Sequence, residues 1–281
     1  MAVATKTRRA LSNADLARLM GLIKGADSVE LKLTVPETSH RSALSALGID
    51  PLDAQIRQVF FFDTPALTLN KKGVVVRARR IQGKGGDSVV KLRPIVPGEL
   101  PADLRTSPNF GVEVDAMPGG FVCSGSLKGK CGIDHPKAVA AGTRPIRKLF
   151  TSEQRAFFSK HAPEGIALDD LSVLGPITLF KLKFAPKGFA RSLVAELWMY
   201  PDYSRILELS TKCLPSETFQ VAAEARVFLS GVGVALTGEQ QTKTKTALEF
   251  FSKQLTAKEA PVNGQSSRAT RTRKRSNAHS R

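Results

Sequence analysis

No apolar run in the sequence approaches the roughly 18 residues that a membrane-spanning helix requires. The opening stretch, MAVATKTRRALSNADLARLM, lacks the apolar core of a secretory signal. We therefore expect a cytoplasmic protein with no membrane partner. Cysteine is scarce. Cys123, Cys131 and Cys213 match no zinc-ligand spacing, and an odd count does not build a disulfide scaffold. Histidine is equally thin: His40, His135, His161 and His279 are scattered, none at metal-ligand spacing, and they read as lone surface residues. Two nucleotide and zinc signatures are missing as well. GSLKGKCG does not complete a G-x-x-x-x-G-K-[ST] loop, and H-E-x-x-H does not occur.

Acid is also in short supply, with 25 Asp and Glu against 42 Lys and Arg and a net charge of +17. Such an excess points to a polyanionic partner: a phosphate-rich small molecule, polyphosphate, nucleic acid or an anionic surface. Residues 256–281 hold seven basic residues and one acid without apolar periodicity, the composition of a disordered tail. The rest of the chain keeps about +11, so the charge is not a property of the tail.

What the sequence does have is alternation. VVVRARRIQGKGGDSVVKLRP (74–94) reads as a β-hairpin, with β-branched runs flanking a glycine-rich turn at Gly83, Gly85 and Gly86. Side chains two apart share a face. Arg77 and Arg79 therefore lie together on one strand, and Lys91 and Arg93 on the other. Like charges about 7 Å apart repel by about 2 kcal/mol at an effective dielectric near 20. A counter-charge must face them.

The same reading gives eight strands, at 28–35, 55–62, 74–81, 88–93, 109–116, 177–185, 192–200 and 204–212. Helices are expected over 12–23, 39–48, 145–160, 216–234 and 245–255. Residues 1–9 read as a flexible N-terminus and 10–255 as one domain. Residues 118–145, rich in Gly, Ser, Lys and Pro, read as an exposed insertion that runs on through a helix to about 165. On many strands one face is apolar and the other charged, with cations gathered on some strands and acids on others. Eight solvated faces would show Thr, Ser, Gln and mixed charge instead. The expected fold is therefore α+β: an eight-stranded antiparallel β-barrel with a charged interior and helices packed outside.

SVELKLTV, FFFDTP, LTLNKKGVVVRARR, SVVKLRP, GVEVDAM and RILELSTK occur in the order and spacing of the CYTH domain, the triphosphate tunnel metalloenzymes. The chain resembles that family from residue 28 to about 250. The resemblance implies a β-tunnel that binds a triphosphate with Mg²⁺ or Mn²⁺. Family activities include inorganic and thiamine triphosphatase, RNA 5′-triphosphatase and adenylate cyclase. Matched residue by residue, it implies Glu30 and Lys32 as catalytic residues. Phosphate would be held by Lys32, Arg77, Arg79, Lys91, Arg93, Lys181, Lys183 and Lys243, with Lys245 the other candidate for the last lysine. Metal would be held by Glu30, Glu113, Glu196 and Glu208. Ser28 and Ser210 stand where the family carries two further acids, which leaves a second metal less secure than the first.

These matches imply a metal-dependent hydrolase of an inorganic or organic triphosphate. A cyclase of the same fold needs a purine pocket and a group to activate a ribose hydroxyl, and no residue here identifies either. A non-catalytic polyphosphate- or nucleotide-binding module is the reading that Ser28 and Ser210 favour. The basic tail could add unspecific nucleic-acid contact, though no aromatic platform interleaves the basic positions. Trp198 and Tyr200 share a face with Glu196 and read as core or rim packing before base stacking.

Overall fold

Alternating segments make two-faced strands, and the structure, a computed structural model, closes nine of them into a barrel. It describes residues 12–236, 240 and 243–259. The expected flexible N-terminus and nearly all of the expected tail lie outside the described residues.

The chain begins with α1 (Asn13–Lys24), β1 (Ser28–Val35), α2 (His40–Ala46), β2 (Gln55–Asp63) and α3 (Thr68–Lys71). The hairpin β3 (Val74–Ile81) and β4 (Gly85–Leu92) follows, then α4 (Ala102–Thr106), β5 (Phe110–Met117), β6 (Gly120–Cys131), α5 (His135–Ala140) and α6 (Ser152–His161). β7 (Ser172–Phe184), β8 (Leu193–Met199), β9 (Arg205–Cys213), α7 (Thr218–Gly231) and α8 (Lys243–Glu259) complete it. Around the barrel the order is β1-β5-β6-β4-β3-β2-β7-β8-β9, closing back on β1.

Two features differ from the expected eight antiparallel strands. β1 and β5 run parallel, with Ser28 opposite Glu113 and Glu30 opposite Asp115. The ninth strand is β6, which comes from the segment expected to be an exposed insertion. It pairs along both edges, with β4 and with β5. Its small residues hid it, and two of them are what the packing outside the barrel requires. A Cβ at Gly129 would stand 2.4 Å from Gln154 Oε1, and one at Gly125 2.5 Å from Phe110 Cζ. The helix expected over 145–160 is also divided. A 3-10 turn covers Ile146–Leu149, and α6 starts only after Thr151, whose hydroxyl accepts from the Gln154 amide in a capping box. β7 starts earlier than expected. Gly175 (φ 148) sits at the register shift opposite Val59 and Phe61, so the strand passes through a bulge just before the expected start at 177. α8 runs to Glu259, past the expected start of the tail.

The apolar strand faces point outward, under the helices. Val74, Val76 and Val90 pack with Phe157 and Phe158 of α6 and Val139 of α5. Val29, Val112 and Val114 pack with Leu19, Leu22 and Ile23 of α1, and Leu33 and Val35 with Ala43 of α2 and Leu229 of α7. α8 is placed differently. Its Ala247, Leu248 and Phe251 join Val59, Phe61, Leu179 and Trp198, two of which line the bore, so this helix stoppers part of the barrel. Among the described residues no helix is long and apolar enough to cross a membrane.

Candidate functional site

With the apolar faces turned outward, the charged faces converge on a cavity of about 430 Å³ inside the barrel. Three acids meet on its parallel seam. Glu30, Glu113 and Asp115 each offer a carboxylate oxygen within 4.8 Å of the others. Lys32 stands among them, with Nζ 3.1 Å from Glu30 Oε2 and 2.8 Å from Asp115 Oδ1. Lys212 pairs with Glu113. Ser210 donates to Glu30 Oε1 at 3.0 Å, and Ser28 to Glu113 Oε2 at 3.5 Å. Ser28 and Ser210 thus touch two of the three acids on this seam.

Asp115 is 1% exposed and gathers three cations from two segments: Lys32 of β1, and Arg93 at 3.3 Å and Lys91 at 3.8 Å at the end of β4. Burial pushes its carboxyl up, but these cations outweigh it and hold the group at about 2. Burial likewise pushes Lys32 down, and Asp115 and Glu30 more than reverse this, keeping its ammonium charged.

On β3 the two arginines differ. Arg79 makes a two-pronged pair with Asp87 across the hairpin, at 2.8 and 2.5 Å. Arg77 has no acid within ion-pair distance among the described residues. Burial first, then repulsion from Arg79, depress its guanidinium to about 10. Lys91 is similarly depressed, to about 8, by burial and despite Asp115. Arg57 lines the same cavity, bonded to the Gln55 amide oxygen at 2.7 and 3.1 Å, and is lowered by burial and by Arg79. These three cations are under-neutralised.

A second acid pair lies across β8 and β9, where Glu196 faces Glu208. Lys243, the first residue of α8, bonds both, at 2.7 Å to Glu208. Its ammonium also stands 5.2 Å over the Trp198 ring. Lys181 reaches Glu196 at 2.8 Å, and Trp198 Nε1 donates to the same carboxylate at 3.2 Å. Burial raises the Glu196 carboxyl, but Lys243 and Lys181 hold it well below the usual range. Trp198 is 3% exposed and serves as packing against this pair, while its edge lines the cavity.

Most residues singled out from the sequence therefore meet in one cavity: Glu30, Lys32, Arg77, Arg79, Lys91, Arg93, Glu113, Lys181, Glu196, Glu208 and Lys243. Lys183 is exposed and does not line it. Lys245 lines an adjoining space and pairs with Glu249 at 3.8 Å. The four acids expected to hold metal do not form one group. Glu30 and Glu113 meet Asp115, while Glu196 and Glu208 meet Lys243. Asp115, Asp87, Arg57, Lys128 and Lys212 also line the cavity. Asp115 had a legible signal, the inward phase of GVEVDAM two residues beyond Glu113. Arg57 had less, because Val59 and Phe61 continue its face as apolar residues.

No family model matches the chain, and no curated protein matches it. Solved structures do. A Bacillus halodurans protein described as an adenylate cyclase candidate superposes with a TM-score of 0.53 at 12% identity, covering 78% of this chain and 98% of that one. HpAC1 from Hippeastrum, an adenylyl cyclase candidate described as having a dominant triphosphatase activity, gives a TM-score of 0.58 at 17% identity, covering 79% and 95%. At these identities the likeness is one of fold.

Proposed function

We propose that the barrel binds a triphosphate chain and hydrolyses it with a divalent metal ion. The observation that carries this reading is Arg77, a half-buried guanidinium in the bore with no acid in ion-pair range among the described residues, flanked by the depressed Lys91. Buried cations are costly unless an anion completes them. Arg77, Arg79, Lys91, Arg93 and Arg57 are placed to complete phosphate oxygens, with arginine forks suited to two oxygens at once. The resemblance of the sequence to the CYTH domain and the fold-level likeness to HpAC1 support the same reading.

The donor set of Glu30, Glu113 and Asp115 suits Mg²⁺ or Mn²⁺, which take hard oxygen ligands and accept phosphate oxygens in the remaining positions. A bound ion would supply charge to offset what builds on the phosphate oxygens during displacement by water. Lys32, fixed as an ammonium by Asp115 and Glu30, acts as a permanent positive charge and not as a base. Ser210 and Lys212 orient Glu30 and Glu113.

The test is phosphate release from inorganic triphosphate with Mg²⁺ and Mn²⁺ in parallel, with ATP and thiamine triphosphate as competitors and Glu30→Ala as control. Metal-dependent turnover that disappears in the control is the expected result. Absence of turnover on every substrate would overturn hydrolysis. If triphosphate still bound tightly, the second reading, a binding module, would replace it. That second reading draws on one specific observation, the occupation of Glu196 and Glu208 by Lys243.

A further inference from the structure

Much of the barrel's outer wall is apolar and lies under helices, but across β7, β2 and β3 it carries a polar row. Arg57 of β2 points into the bore, so by alternation Gln58 faces out. Register sets Gln58 between Thr178 of β7 and Arg80 of β3. Two residues along, Phe60 and Ala78 continue the same face into the core beneath α5 and α6. Over the polar row, outside the bore, lies a cavity of about 340 Å³. That size falls within the roughly 300–1,000 Å³ of small-molecule sites.

The cavity is cationic. Arg80 and Arg57 line it, and among its described lining residues there is no acid. Arg80 is poorly served by the partners it has. Its Nη2 stands 3.1 Å from Oδ1 of Asp134, an exposed side chain just before α5, and its Nη1 donates to Gln58 Oε1 at 3.4 Å. Its Nε is buried with no hydrogen-bond partner among the described residues. An ion pair with an exposed carboxylate contributes little, whereas an unmet buried donor is a standing cost. An arginine fork satisfies both problems when one carboxylate takes Nε and an Nη together, a contact that Asp134 does not make.

The rest of the wall is apolar where it meets solvent. Ile56 and Ile133 both line the cavity and are 39% and 38% exposed. A bare inorganic anion would serve Arg80 and leave both isoleucines wet. A ligand with an apolar body covers them.

We propose that this outer cavity binds a small organic carboxylate. The Arg80 fork turns from Asp134 to the ligand's charged end, and the apolar body covers Ile56 and Ile133. The site is separate from the bore and does not depend on what the bore binds.

The experiment titrates the full chain with phenylacetate and follows isoleucine methyl groups by NMR. Ile56 and Ile133 report this cavity, and no isoleucine is among the described residues lining the bore. Phenylacetamide keeps the shape without the charge, and acetate keeps the charge without the apolar body. The expected result is a saturable shift of both methyls with a Kd of about 1 mM or below for phenylacetate, and binding about tenfold weaker or worse for the other two. Arg80→Gln should weaken phenylacetate about tenfold. Asp134→Asn, at an exposed position, should tighten it, because the competing carboxylate is gone. Absence of a saturable shift at these two methyls would overturn the site, and calorimetric binding without such a shift would place the carboxylate in the bore. Phenylacetamide binding as well as phenylacetate, full affinity in Arg80→Gln, or an Asp134→Asn variant that fails to tighten would overturn it too. Should Arg80→Gln fail to fold, Asp134→Asn decides alone.

Discussion

The ammonium of Lys32 lies 2.8 Å from Oδ1 of Asp115, across the seam where β1 and β5 run parallel. Lys91 and Arg93 reach the same carboxylate, so one buried acid holds three cations that would otherwise repel each other. Asp115→Asn removes that charge at nearly constant shape. Breaking a buried ion pair from one side costs about 3 kcal/mol, and we expect a loss of that order in urea unfolding. Two binding changes should accompany it. Mn²⁺ affinity falls, because one of three carboxylates is gone. Metal-free triphosphate affinity rises, because the released cations face the anion instead. A variant that weakened both ligands equally would show Asp115 to be a general structural support.

Lys243→Met leaves Glu196 and Glu208 facing each other across β8 and β9 without the ammonium that joins them. The folded-state Glu196 carboxyl is held low, so its contribution is present at neutral pH and lost as pH falls through that depressed value. The variant loses this contribution. We expect a stability deficit of about 3 kcal/mol at pH 7 that shrinks as the pH falls into the acid range, where the wild type loses the Glu196 contribution. The check is urea unfolding of wild type and variant across that range. A deficit independent of pH would mean that Lys243 acts through packing on Trp198 alone.

If the bore binds triphosphate as proposed, Lys91 sets a pH limit on that binding. Burial depresses it to about 8, so the ligand-free ammonium discharges above that pH. A bound phosphate stabilises the charged form, so binding takes up a proton above pH 8 and none below. Triphosphate affinity should be flat from about pH 6.5 to 7.5 and fall toward tenfold per unit above pH 8. Lys91→Arg, always charged, should flatten the profile. The fold responds with the opposite sign. A lysine depressed below its unfolded value disfavours the folded state when charged, so ligand-free stability should rise between pH 8 and 10. A profile that falls identically in Lys91→Arg would assign the titration elsewhere.

Gly129→Ala tests the strand that the sequence concealed. Gln154 is fully buried beside it, with its amide accepting from the Ser88 hydroxyl at 2.8 Å and donating to the Ser88 and Leu127 carbonyls at 3.0 Å each. A methyl 2.4 Å from Gln154 Oε1 cannot be met by a side chain so fixed. We expect a destabilisation of about 2 kcal/mol in chemical unfolding, with triphosphate binding retained. This is also where sequence reading had its limit. Strands such as SVELKLTV and VVVRARRI announce themselves because one face must be apolar to cover the outside and the other charged to line the bore. GFVCSGSLKGKC breaks that pattern at Gly125 and Gly129, where Phe110 and Gln154 take the space that a large side chain would fill. The site was legible for the same reason as the strands: inward phase places Arg77, Lys91 and Glu113. What alternation did not carry is which acid meets which cation, because that depends on register across strands far apart in the chain, such as Glu30 beside Asp115 and Glu208 beside Lys243.

Arg77 separates stability from function most directly. Its guanidinium is half-buried in the bore and is depressed to about 10 by desolvation and by repulsion from Arg79, with no acid in ion-pair range among the described residues. Such a group costs the ligand-free protein stability, and the proposed triphosphate site is what would repay it. Arg77→Met preserves a long side chain and removes the charge. We expect its ligand-free melting temperature to rise by about 2–4 °C, equivalent to about 1 kcal/mol for a domain of this size, and its affinity for inorganic triphosphate to fall about 100-fold. Scanning calorimetry with and without ligand reads both at once, because a protein that melts higher when empty and gains nothing from triphosphate has lost a binding residue without losing its fold. A variant that melted lower and still gained the wild-type increment from triphosphate would make Arg77 part of the barrel's framework, and the anion site would then have to be sought among Arg57, Arg79 and Lys91.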